Sequence, residues 1–464
     1  MAETKRLKIV MFPWLAFGHM IPFLELSKHF AQRGHHILYV STTRNIKRLP
    51  KIPQTLASTI EFVDLELPRV EDLPPEAEAT SDLPVEETQI LKIAYDRLKE
   101  PMEALLVAQS PDWVVYDFSC YWLQPVAAKL GIKHSFFSIF MACTLAIAVG
   151  PSEYSSLPVK VPEELTVPRP WITFPTKILF KLHEAKKLMM QASFENASGV
   201  SDSFRLDSAL GRSDAILVRS CWEIEDKYLH LLEQIHGKPV FPVGLLLPSK
   251  PQKPDDAGED WRLIRDWLDG KEDRSVIYVA FGSETMPTQE ELVALAGGLE
   301  ISGLPFMWVL KKEVKTGNGN KAPLVLPDGF EERTKGRGLV WTSWAPQLRI
   351  LSHRSIGGFL SHSGWSSVVE ALHVGLPLIL LPMFIDQGLV ARNVSEVQAG
   401  YEVPRNEDNG AFTENAVAES LRLVVVDEGG AIYRQKAKEA STTLFGDEDL
   451  QRQYMDKVVE FFAK

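Results

Sequence analysis

Short, largely apolar runs alternate with amphipathic stretches along most of the chain. Leu7–Trp14, His35–Ser41, Ile60–Leu65, Trp113–Asp117, Ser135–Ser138 and Ala215–Arg219 have strand length. Their apolar positions run together rather than alternating, which marks strands covered on both faces. Between them lie helical patterns. Ile21, Leu24, Leu26 and Phe30 recur at helical spacing, and Gly34 ends that helix. Glu86–Ser110, Tyr121–Leu130, Thr176–Leu210 and Glu223–Ile235 read as further helical segments. Pro68–Pro84 is acidic and proline-bearing, hence a loop, and Pro151–Pro175 reads as a mobile segment with little regular structure. Strands alternating with helices predict a doubly wound parallel sheet.

The pattern then breaks. Residues 248–260 hold three prolines and several charges and are the best linker candidate. This divides the chain into 1–247, a linker at 248–260, a second unit at 261–446 and a closing helix at 447–464. In the second unit the alternation restarts. Ser275–Phe281, Phe306–Leu310, Gly338–Thr342, Ile356–Leu360, Leu376–Leu381 and Tyr401–Val403 are predicted strands. Gln289–Ile301 and Gly388–Ala399 are predicted helices, Val314–Ala322 a loop, and Thr413–Lys464 further helices. The expected fold is α/β, with two Rossmann-like domains.

One stretch of the second unit carries chemistry. His362-Ser363-Gly364-Trp365-Ser366-Ser367 lies between the strands Ile356–Leu360 and Leu376–Leu381, at the start of a helix reaching Val374. Free backbone N–H groups and the helix dipole favour an anion there. Ser363, Ser366 and Ser367 add hydroxyls and His362 an imidazole, so the turn is a candidate phosphate site. Trp344 offers a flat face for a base, Glu370 can accept from ribose hydroxyls, and Asp386-Gln387 can bond sugar hydroxyls.

Trp344 to Gln387 resembles the signature box of the plant family 1 UDP-sugar-dependent glycosyltransferases. The landmarks are Trp344, Pro346-Gln347, His353, Gly358, His362, Gly364-Trp365, Ser367, Glu370, Gly375, Pro377, Pro382 and Asp386-Gln387. The resemblance implies a two-domain GT-B fold, its domains facing across a cleft, whose last helix returns to the N-terminal domain. It also implies that Trp344 stacks on uracil, met by the Ala345 backbone, while Gln347 and Glu370 serve the ribose. His362, Gly364, Trp365 and Ser367 would surround the diphosphate, and Asp386 and Gln387 would hold the sugar. The family usually carries Cys and Asn where this chain has Ser363 and Ser366, which leaves the donor contact at 366 open. Ser283, after the strand Ser275–Phe281, is a further candidate phosphate donor.

His19 closes the loop after the first strand, where an open α/β sheet places its ligands. Phe12-Pro-Trp-Leu-Ala-Phe-Gly-His19 resembles the family motif that carries the catalytic base, and Asp117 stands where the family keeps its partner carboxylate. The implied chemistry is an inverting single displacement, with His19 as base, Asp117 as its orienter and no metal or other cofactor. Gln387 points to glucose as the donor sugar. Ser138 sits at the family's position for the donor 6-hydroxyl, which rhamnose lacks, so its hydroxyl leans toward glucose. The phrases Phe-Pro-Trp-Leu-Ala-Phe-Gly-His and Ser-Gly-Trp-Ser-Ser resemble the branch that extends sugars already on flavonoids or terpenoids, some of whose members use UDP-rhamnose. Phe17, Phe118, Trp122 and Phe137 are the expected acceptor walls.

Composition narrows the alternatives. With 61 acidic against 50 basic residues the net charge is −11, which argues against a nucleic-acid partner. The three cysteines, Cys120, Cys143 and Cys221, form no C-x-x-C pair and suit a reducing compartment. A cytoplasmic monomer without membrane insertion is expected. The first strand-to-helix turn lacks G-x-G-x-x-G, against a nicotinamide dehydrogenase, and Gly364-Trp-Ser366-Ser-Val lacks the last glycine of G-x-S-x-G, against an α/β-hydrolase. A non-catalytic UDP-sugar binder would keep the box but has no use for both His19 and Asp117.

Overall fold

Strands β1 (Lys8–Phe12), β2 (His36–Ser41), β3 (Ile60–Asp64), β4 (Trp113–Tyr116), β5 (Lys133–Ser138), β6 (Ala215–Val218) and β7 (Val240–Pro242) build one sheet. Its order is β3-β2-β1-β4-β5-β6-β7, and every pairing is parallel. These elements belong to a computed structural model that describes residues 5–152, 159–248, 258–282, 287–311, 313–315 and 321–464. Apolar residues dominate most of these strands, and β4 and β6 are buried along their whole length, as expected of a sheet covered by helices on both faces.

The second sheet repeats the plan. β8 (Val276–Ala280), β9 (Phe306–Val309), β12 (Gly338–Trp341), β13 (Ile356–Ser361), β14 (Leu378–Leu380) and β15 (Gly400–Glu402) run in the order β12-β9-β8-β13-β14-β15, all parallel. A separate antiparallel pair, β10 (Glu313–Lys315) and β11 (Lys321–Pro323), lies between β9 and β12 in the chain.

Each sheet reverses its direction of growth once. In the first, the chain moves outward from β1 to β3 and then returns to place β4 on the other side of β1. In the second, β8 is flanked by β9 and β13 in the same way. At such a switch point the following helices diverge to opposite faces and leave a crevice at the carboxyl ends of the strands. Phe12 pairs with Tyr116 and Ser361 with Ala280, so the strand ends at both switch points are level.

The closing helix Glu448–Ala463 packs on the first unit. Phe462 stacks on Trp113 with ring centroids 4.0 Å apart, and the Trp113 indole donates to the Phe462 carbonyl at 2.9 Å. Met455, Val458 and Val459 join the same core as Phe30 and Ile37. Tyr454 donates its hydroxyl proton to Glu223 and accepts from the Trp222 N–H.

Several expectations are corrected. The helix read over Glu86–Ser110 is two helices, Thr88–Asp96 and Lys99–Gln109, because Pro101 cannot donate to the carbonyl one turn back. The loop read at Val314–Ala322 carries β10 and β11, while residues 316–320 lie outside the described residues. β7 has no counterpart in the sequence reading: its proline hides it, and as an edge strand it tolerates one. Residues 159–175 have little regular structure but are anchored, with Leu165 and Ile172 buried and the Trp171 indole donating to Ala146 O at 2.7 Å. Most of the linker candidate, residues 249–257, lies outside the described residues.

Phe462→Ala should remove about 3 kcal/mol of unfolding free energy, read from urea denaturation, because a fully enclosed ring leaves a cavity. An unchanged midpoint would mean that the closing helix is not part of the cooperative core.

Candidate active site

His19 is the third residue of the helix Phe17–Gln32, which begins before it, whereas the sequence reading had His19 close the preceding loop. Its Nδ1 is 2.7 Å from Asp117 Oδ2. Asp117 follows β4 directly and is buried; its carboxylate also accepts from Trp14 N at 3.1 Å and Phe118 N at 2.7 Å. A carboxylate can only accept, so this contact places a ring proton on Nδ1, and in the neutral ring Nε2 then holds the lone pair. Phe118 and Phe140 border the ring, with centroids 5.6 and 5.7 Å from it. Asp386, from the second unit, interacts electrostatically with His19 through space. Burial pushes the Asp386 carboxyl up to about 6; its own backbone N–H and His19 pull the other way.

The turn after β13 faces the turn after β8. A side chain at Gly282, where φ is +75°, would lie 3.0 Å from the His362 ring, and one at Gly364 would lie 2.5 Å from its Nε2. Only glycine at both positions lets the imidazole fit between the two turns. Burial holds the His362 pKa down to about 4, so the ring is neutral near pH 7. Gly364 caps the helix Trp365–His373, and Ser366 and Ser367 stand in its first turn. Gln347 Nε2 donates to Ser367 Oγ at 3.1 Å and to Glu370 Oε2 at 2.9 Å. Trp344 is 76% exposed, so one indole face is open to a planar ligand beside Ala345 and Gln347.

Sequence reasoning missed the seam between the units. The Trp365 indole donates to Arg219 O at 2.8 Å, and the Arg219 guanidinium donates to Ser366 Oγ at 2.6 Å. Arg219 had counted only as the end of a strand. The signal was available: an arginine continuing a fully apolar strand has to be buried, and a buried cation needs acceptors.

Other assignments change. Trp122 is core, not wall: it packs on Phe12 and Tyr95, and its indole donates to Asp96. Phe137 is fully buried against Phe23, ring centroids 4.8 Å apart, beneath the first helix. Ser138 is buried and closes a turn, donating to Phe140 O and accepting from Phe140 N, so its hydroxyl is not presented to the cleft. The Trp365 indole is committed to Arg219, which leaves only that residue's backbone N–H for an anion. Gln387 accepts through Oε1 from the N–H groups of Met383 and Phe384, so its carbonyl is committed to its own loop. Ser363 is fully buried at φ +67°, and its hydroxyl has no partner among the described residues. Phe17 is half-buried under the Arg48 guanidinium, 4.8 Å above its ring. Ser283 lies outside the described residues.

Two facing Rossmann-like units with an imidazole–carboxylate pair on one side and a helix start on the other define a two-domain sugar-transferase architecture. The family model "UDP-glucoronosyl and UDP-glucosyl transferase" matches residues 169–444, and the model "Glycosyltransferase, N-terminal domain" matches residues 5–248. UDP-glycosyltransferase 91A1 of Arabidopsis thaliana is 47% identical, covering 99% of this chain and 97% of its own. The Soyasaponin III rhamnosyltransferase of Glycine max is 39% identical, covering 100% and 97%. Among solved structures, UGT73P12 of Glycyrrhiza uralensis, complexed with glycyrrhetinic acid 3-O-monoglucuronide, superposes with a TM-score of 0.78 over 99% of this chain and 96% of that one, at 23% identity. The chain belongs to the plant family 1 UDP-glycosyltransferases, has their GT-B fold and is a glycosyltransferase enzyme. Among the described residues no helix is long and apolar enough to cross a membrane.

Replacing Ser363 by Cys, which keeps the backbone and removes a buried, unpaired hydroxyl, should raise unfolding free energy by about 1 kcal/mol. Lower stability in urea would show that the hydroxyl has a partner.

Proposed function

We propose that the protein transfers a hexose from a UDP-sugar to a hydroxyl of a small plant natural product, a flavonoid or terpenoid glycoside whose sugar is thereby extended. The observation that carries this reading is the His19–Asp117 contact at 2.7 Å. Nε2 of His19 takes the acceptor proton as the acceptor oxygen attacks the anomeric carbon. Asp117 steadies the imidazolium that forms. UDP departs from the opposite face, so the anomeric configuration inverts. Its growing charge meets the N–H groups at Gly364–Ser367 and the hydroxyls of Ser366 and Ser367. Trp344 stacks the uracil, Gln347 and Glu370 take the ribose, and Asp386 accepts from the sugar. Phe118 and Phe140 wall the acceptor, with Phe17 further out. The scheme routes no step through a metal or other cofactor, and it fits a cytoplasmic enzyme.

Glucose is the first reading of the donor, from Gln387. Rhamnose is the alternative, supported by the name of the soybean relative and by Ser138, whose hydroxyl is turned into its own backbone. A mass-spectrometric screen of UDP-glucose, UDP-rhamnose and UDP-xylose against glycoside and aglycone panels tests both. Turnover only on aglycones would overturn the sugar-extending reading, and binding of UDP-sugar without turnover on any acceptor would favour a binder.

His19→Ala should lower kcat by about 10²–10⁴-fold while leaving UDP affinity nearly unchanged; full activity would remove the base from the scheme. Asp386 supplies a pH signature. Above pH of about 6 its carboxylate is ionised and accepts hydroxyl protons; below that it carries a proton and accepts less well. Calorimetric Kd for the preferred UDP-sugar should therefore rise as pH falls through 6, and Asp386→Asn should bind weakly at all pH values without that step.

A further inference from the structure

Arg219 follows β6 and is 1% exposed. Its Nε donates to Leu245 O at 2.9 Å, one terminal nitrogen to Leu246 O at 3.4 Å, and the other to Ser366 Oγ at 2.6 Å. All three acceptors are neutral. Among the described residues no carboxylate lies within 4.0 Å of the guanidinium; Glu370 and Glu25 act on it only through space. Burial lowers its pKa to about 10, which leaves it charged at neutral pH. A buried cation without a paired anion is unfavourable, and the arrangement improves when an anion arrives.

The geometry at Ser366 says where that anion sits. The Ser366 oxygen receives a guanidinium proton, so its own O–H must point elsewhere. Ser366 is the second residue of the helix Trp365–His373, so the hydroxyl stands among that helix's unpaired N–H groups. A hydroxyl that accepts from a cation is also a stronger donor to an anion. The same arginine presents its carbonyl to the Trp365 indole and so holds the helix start by two bonds.

We propose that Arg219 is a positioning residue for the nucleotide diphosphate. From the acceptor-side unit it aims the Ser366 hydroxyl at the diphosphate bound to the other unit, and it places a buried positive charge behind the leaving group. The serine, shorter than the asparagine usual at this place, is extended by an arginine reaching across the seam. The inference rests on the UDP-sugar reading above.

Calorimetry on the full chain with UDP and with uridine tests it, using Arg219→Met, Arg219→Lys, Ser366→Ala and the Met–Ala double variant. Arg219→Met and Ser366→Ala should each weaken UDP by about tenfold or more while uridine changes by less than about twofold. Lys should recover part of the loss, and the double variant should bind UDP no worse than Arg219→Met alone. UDP affinity within about twofold of wild type in Arg219→Met would overturn the proposal. So would equal weakening of UDP and uridine, the mark of a purely structural role. Should Arg219→Met fail to fold, Ser366→Ala, which deletes only a hydroxyl, decides: unchanged UDP affinity overturns the proposal. A wild-type protein that does not bind UDP would instead sink the UDP-sugar reading itself.

Discussion

Everything in this molecule depends on two switch points brought face to face. In each parallel sheet the order reverses beside one central strand, and the helices that follow diverge. At the carboxyl ends the strands give way to short turns and helix starts, and these line the crevice. The first sheet puts His19 and Asp117 there, after β1 and β4. The second puts Gly282 and His362 there, after β8 and β13. The glycines let the second pair of turns approach closely, and hydrogen bonds from Trp365 to Arg219 and from Arg219 to Ser366 tie one crevice to the other.

Burial sorts the charges of the site into distinct jobs. Asp117 is enclosed and accepts from two backbone N–H groups and from the imidazole, which fixes its carboxylate as an orienter. Asp386 and Glu370 are both raised by desolvation, Asp386 to about 6. His362 is held neutral, and its ring N–H is turned to the Ala280 carbonyl, so in the free protein it brings no charge to the helix start. Positive potential at the helix start then comes from backbone N–H groups and from Arg219 behind Ser366. Such fixed donors need little rearrangement when negative charge develops on a departing phosphate.

The aromatic residues show how far a sequence can be read. Phe118, next to Asp117, borders the imidazole, and Phe140 joins it. Trp122 and Phe137, also expected as acceptor walls, both serve the core. Along β5 neighbouring side chains point to opposite faces, so Phe136 and Phe137 enter different cores. That choice depends on what packs against each face, here the first helix over Phe137. Ser138 is similar: the residue type allowed a sugar contact, and its own turn claimed the hydroxyl.

Local pattern alone was enough for the α/β alternation, both Rossmann-like halves and the helix start at Gly364–Ser367, while the pairing of His19 with Asp117 came from resemblance to the family motif. The first three are legible because each depends on residue periodicity or on position relative to a strand end, and both are written along the chain. Tertiary structure alone decided which aromatics face the cleft, which hydroxyls are already bonded, and that Arg219 reaches Ser366 across 147 positions of sequence. A hydrogen bond between distant segments leaves no periodic trace in either one. It exists only once two separately folded crevices stand opposite each other.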